Sequence, residues 1–159
     1  MADALTPERT PARLCELSAD ARAVVLLDAA GALAASSEED PARARELGEL
    51  ARELFEAVDG ATRDWEADPP EQVEAQVPGG AVFSSRTPRW TLAVVARRTA
   101  LSSLMLWDLR AVLGELEGAP PIRRSTAAEE GAPGPVTEEA AAGESPVPEL
   151  GGEPRGRGG

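Results

Sequence analysis

The chain has 159 residues, 42% of them hydrophobic and 28% charged, which is room for one soluble domain and some spare chain. Its net charge of −12 opposes nucleic acid and anionic membrane surfaces as partners. It has no His and no Lys, and its only thiol is Cys15, so imidazole bases, lysine nucleophiles, phosphate-loop lysines, disulfides within the chain and thiolate zinc clusters are all excluded.

The first element expected is a short helix from about Thr6 to Ala19, with Thr6 as cap, Pro7 at the first helical position and Leu14 and Leu17 facing inward. Cys15 lies in it and reads as structural. Ala23-Val24-Val25-Leu26-Leu27 is continuously apolar, the pattern of a strand buried on both faces. Asp28-Ala29-Ala30-Gly31 is a turn, and Ala32 to Ser36 is a returning strand of small residues that suits a closely packed neighbour.

Asp40 and Pro41 open a long helix reaching Arg63 or Trp65. At about 100° per residue, Leu47, Leu50, Ala51, Leu54, Phe55, Val58, Ala61 and Trp65 share one side. With Ala44 and Gly48 the apolar arc spans roughly 160°, wider than covering one sheet requires. One flank is expected on the sheet and the Gly48 flank on another helix, from a second subunit; a wholly buried core helix is the plainer alternative.

Asp68-Pro69-Pro70 breaks the chain. Gln72 to Val77 then alternates, with Val73, Ala75 and Val77 on one face, as a half-exposed edge strand does. Pro78-Gly79-Gly80 turns into a strand over Ala81–Arg86, and Thr87-Pro88-Arg89 turns into the second apolar strand, Trp90–Ala96. A last helix, capped by Ser102 or Thr99, reaches Glu117 with a stripe of Leu101, Met105, Leu109, Val112 and Leu116. Trp107 lies off that stripe and is expected against the N-terminal helix, with exposure to a partner as the alternative.

The fold class is therefore α+β: a five-stranded antiparallel sheet with the two most apolar strands in its middle, one long helix on one face and the two terminal helices on the other. Residues 1–117 make this domain. From 118 to 159, 42 residues contain nine Gly, seven Pro and no aromatic, too little apolar surface to offset the entropy of ordering. That segment reads as a disordered acidic tail; its end, Arg155-Gly156-Arg157-Gly158-Gly159, bears a weak likeness to RGG-type RNA-binding tails. No apolar run approaches the ~20 residues of a membrane span, and the polar Met1–Arg13 is unlike a secretory signal, so a cytoplasmic protein is expected.

Val24-Val25-Leu26-Leu27-Asp28-Ala29-Ala30-Gly31-Ala32-Leu33-Ala34-Ala35-Ser36 resembles the apolar strand, Asp-x-x-Gly turn and returning strand of the roadblock family, which comprises the dynein light-chain roadblock type and bacterial regulators of Ras-like GTPases. Gly80-Ala81-Val82 and Leu92-Ala93-Val94-Val95 resemble its later strands, and Leu101 to Leu116 its last helix. The likeness runs from about Leu5 to Glu117. It implies a non-catalytic roadblock/profilin-like module without cofactor or metal, whose partners are a second copy of itself and a small Ras-like GTPase. Homodimers of the family join edge strands and long helices, which places Gly48, Ala51, Phe55, Val73 and Ala75 at the expected contact. Arg86, Arg89 and Trp107 are candidates for touching the GTPase.

An arginine finger from Arg86, Arg89, Arg97 or Arg98 is chemically available, solvated surface arginines being the plainer reading. Two other functions stay open at this point: a scaffold without GTPase regulation, and a small-molecule sensor of PAS or GAF type, which needs a roomy cavity. An enzyme is not expected, and Asp28 and Asp108 read as turn and surface groups.

Overall fold

The computed structural model describes residues 3–121. The tail expectations, including the Arg155–Gly159 likeness, fall on 122–159 and lie outside the described residues.

The order is a 3-10 turn (Pro7–Arg9), α1 (Thr10–Leu17), β1 (Ala21–Asp28), β2 (Leu33–Ser36), α2 (Pro41–Asp64), β3 (Gln72–Val77), β4 (Gly80–Arg86), β5 (Trp90–Arg97) and α3 (Ser102–Leu116). All pairings are antiparallel and the sheet order is β2-β1-β5-β4-β3. The two continuously apolar strands pair with each other, β5 at the centre of the sheet, as their lack of a polar face requires. The edges are β2 and β3.

Strand alternation splits the core into two layers. Val24, Leu26, Leu92, Val94, Ala81 and Phe83 face one way and pack with Leu14 of α1 and Met105, Leu109, Val112 and Leu113 of α3. Val25, Leu27, Val82 and Ala93 face the other way and pack with Ala44, Leu47 and Ala51 of α2. Terminal helices on one face and the long helix on the other is the expected arrangement.

Several local expectations are corrected. The N-terminal helix is split, because Pro11 withholds an N–H and the chain before it closes a tighter turn. Thr6 occupies the cap position, but its carbonyl does the work, accepting from the Arg9 N–H at 3.1 Å and the Thr10 hydroxyl at 2.9 Å. Neither Ser102 nor Thr99 caps α3; Leu101 stands there without a side-chain bond. Trp65 is not on the buried side of α2: the helix ends at Asp64, and the ring is 84% exposed. Asp108 is fully buried, not a surface group, on the α3 flank it shares with Glu115. Glu115 receives a two-pronged bond from Arg13 of α1 at 2.9 and 3.1 Å, which ties the terminal helices together.

Asp28 is the turn residue expected. Its carboxylate accepts from the N–H groups of Ala30 and Ala32 at 2.9 Å, and Gly31 takes φ 81°. Asp40 caps α2 by accepting from Ala42 N–H at 2.9 Å. Gly80 is required for a steric reason: a Cβ there would lie 2.4 Å from the Ala96 carbonyl oxygen of β5. Gly80→Ala is therefore expected to push β4 off β5 and cost about 1–3 kcal/mol, read as a lower urea midpoint.

Candidate interaction surface

The half of the sheet beyond α2 is where the fold leaves apolar groups uncovered. Pairing places Val73 opposite Ser84 and Ala75 opposite Val82, so both share the sheet face that α2 covers. Val73 and Ala75 are half-buried and Val77 is 39% exposed. Val95 and Leu54 border the same layer. On α2 the outward flank carries Leu50, Leu54, Val58 and Ala61, with Leu50 37% exposed. An uncovered apolar corner thus adjoins an open strand edge.

Of the five residues expected at a dimer contact, Val73 and Ala75 lie in this corner. Gly48, Ala51 and Phe55 do not; they are buried within the protomer. A Cβ on Gly48 would sit 3.1 Å from the Leu27 side chain, so this glycine lets α2 approach its own sheet. The outward flank of the helix is the one bearing Leu50 and Leu54. Hydrophobic periodicity finds the apolar arc but not which flank the sheet takes.

The polar side of β3 is held from the other face. Gln72 donates to the Leu106 carbonyl of α3 at 2.7 Å, and the Ser102 hydroxyl donates to Glu74 at 2.8 Å. These bonds fix the faces of the edge strand, since a one-residue slip would turn Val73 and Ala75 away from the corner.

Arg86 is the residue most altered by seeing the fold. Its guanidinium grips both oxygens of Asp59 of α2, one at 2.8 Å, and lies 4.3 Å from the centre of the Phe55 ring. Its Nε donates to the Pro70 carbonyl at 3.0 Å. With its side chain 23% exposed and so engaged, Arg86 is an internal clasp and not a free finger. Arg89 is exposed on the β4–β5 turn, while Arg97, the last residue of β5, and Arg98 just after it are exposed at the opposite end of the strand, about 25 Å away by strand rise. The four arginines do not converge.

Trp107 is 46% exposed on α3, one turn from exposed Leu104. The cleft of about 450 Å³ beside Arg86 is walled on this side by Arg110 and Leu113 of α3 and by Glu117 just after it, and does not include Trp107. Arg86, Arg89 and Trp107 therefore form no single site.

The Arg86 bond holds the Asp59 carboxyl below the usual carboxylate range. A depressed folded-state value means the pair stabilises fully above the unfolded value of about 4 and that this is lost as pH falls through the lower folded value. Arg86→Gln is expected to cost about 2 kcal/mol at pH 7, with the gap to wild type narrowing below about pH 4, where the bond to Pro70 and the contact with Phe55 remain. Urea titrations at stepped pH check this.

Among the described residues, no group of three or more His, Cys, Asp or Glu is placed to hold a metal ion. No helix among them is long and apolar enough to cross a membrane.

Five antiparallel strands in this order, one long helix on one face and terminal helices on the other define a small α+β module of the roadblock type. The chain is similar to a roadblock/LC7 domain from Streptomyces avermitilis, at TM-score 0.63 and 19% identity over 71% of this chain and 96% of that one. It is similar to the gliding protein MglB from Thermus thermophilus, at TM-score 0.58 and 14% identity over 68% and 83% of the two chains. An MglB with a tetrameric arrangement matches at TM-score 0.59 and 15% identity over 68% and 82%. No family description matches the sequence, and no curated protein matches it. The chain has the roadblock fold.

Proposed function

We propose that the protein is a non-catalytic, homodimeric binding module of the cytoplasm that engages and regulates a small Ras-like GTPase. The observation that carries this reading is the uncovered corner of Leu50, Leu54, Val73, Ala75 and Val77 beside the open β3 edge. A second copy offers the same edge and the same apolar groups, so one two-fold operation pairs strand with strand and covers both corners. Self-association in the neighbouring MglB of tetrameric arrangement supports the pairing. The GTPase follows from the roadblock likeness of residues 5–117 and agrees with the chemistry. A chain without Lys lacks the phosphate-loop cation and acts on nucleotide only through a partner. Residues 1–117 are the module and 118–159 an appended tail in this reading, and the source is bacterial.

The test uses the full chain as bait in a lysate of the source organism, with GDP or a non-hydrolysable GTP analogue present. Enrichment of one small GTPase, at least about tenfold with one nucleotide over the other, is expected by mass spectrometry. Capture of other proteins with no GTPase under either condition moves the reading to a scaffold.

A further inference from the structure

The segment joining α2 to β3 runs from Trp65 to Glu71 and includes Pro69 and Pro70, which have no N–H to anchor it. Its first part folds back on the helix: Trp65 and Ala67 N–H groups bond to Thr62, and Glu66 N–H to Arg63. Its last part is held by one residue from two directions. The Arg86 side chain donates to the Pro70 carbonyl at 3.0 Å, and the Arg86 backbone N–H donates to the Glu71 carbonyl at 2.8 Å. The same guanidinium holds Asp59 and lies over Phe55, both of α2. Arg86 thereby joins the C-terminal half of α2, the entry to β3 and the end of β4 at one point.

Those are the parts that must be mutually aligned for a second copy to seat on both the helix flank and the strand edge. We infer that Arg86 is a positioning residue for self-association, with Asp59 as its counterpart: the clasp presets the angle between the outward flank of α2 and the β3 edge. This rests on the homodimer reading above. Without the clasp, the linker samples other paths and the edge must be ordered as the partner binds, which weakens association without removing any contacting group. The Arg110–Glu71 pair touches the same linker but is 68% and 70% exposed, and supplies the control.

The experiment compares full-length wild type, Arg86→Gln, Asp59→Asn and Arg110→Gln by sedimentation equilibrium and by amide exchange. Wild type and Arg110→Gln are expected to dimerise alike. Arg86→Gln and Asp59→Asn are expected to dimerise at least about tenfold more weakly. Their exchange is expected to accelerate at residues 65–77 and not at Ala21–Asp28, which separates loss of positioning from general loss of stability. Should Arg86→Gln not fold, Asp59→Asn, which keeps the side-chain shape, decides. Wild-type dimerisation in both clasp variants overturns the inference while the homodimer reading stands. A monomeric wild type removes the homodimer reading, and with it the role of the clasp in assembly.

Discussion

If the protein pairs through β3 as proposed, Glu74→Pro is expected to leave a folded monomer. The β3–β4 hairpin closes through the two-residue turn Pro78-Gly79, with Gly79 at φ 87° and Val77 paired to Gly80. In such a hairpin the closing pair exchanges hydrogen bonds, and bonded pairs then alternate. Val77, Ala75 and Val73 therefore point their N–H groups at β4, while Gln76, Glu74 and Gln72 point theirs out of the edge. Proline at 74 leaves the internal ladder whole, removes one outward donor and puts a ring where an incoming strand must lie. In a symmetric pair the insult occurs twice. Glu74 also loses its exposed side-chain bonds from Ser102 and Gln76, a small cost to the protomer. Light scattering is expected to show a dimer constant weakened at least about 100-fold, with Tm within about 5 °C of wild type when both are compared as monomers. A variant that still dimerises like wild type excludes β3 as the interface.

Leu26→Ala is expected to cost about 3–4 kcal/mol, a large part of the ~5–15 kcal/mol that holds a domain of this size. Leu26 is fully buried in β1, opposite Leu92 of β5 and Ala35 of β2, in the layer filled by Leu14, Phe83 and Leu109. Strands on both sides keep β1 from moving to fill the hole, so most of the cavity remains. Chemical denaturation is expected to show a lower midpoint with an unchanged slope. A loss below about 1 kcal/mol would mean that the layer collapses around the missing atoms.

Much of the fold is legible along the chain because its signals are local. The run 23–27 has no polar face, so it has to be covered on both sides; 72–77 alternates, as an edge strand does, though the fold bonds its polar side to α3 and leaves its apolar side uncovered. Asp28, Asp40 and Gly31 act on groups within four residues of themselves. The errors came where a distant neighbour decides. Asp108 looks like a surface carboxylate until the fold is seen to bury it completely. Gly48 looks available to a second helix until Leu27 is seen beneath it.

The clasp had no local signal: Arg86 and Asp59 are 27 residues apart, and Arg13 and Glu115 are 102 apart. Any of sixteen arginines and many carboxylates pair equally well on paper. Only the crossing of α2 past the end of β4 selects this one. By itself the sequence determined the class of fold, the order of its elements, the polarity of each strand and the chemistry closed to a chain without His or Lys, all consequences of periodicity and composition. Tertiary structure alone decided which flank of α2 is spent on its own sheet, which arginine is tied down and which apolar groups stay uncovered, because those depend on what lies opposite in space.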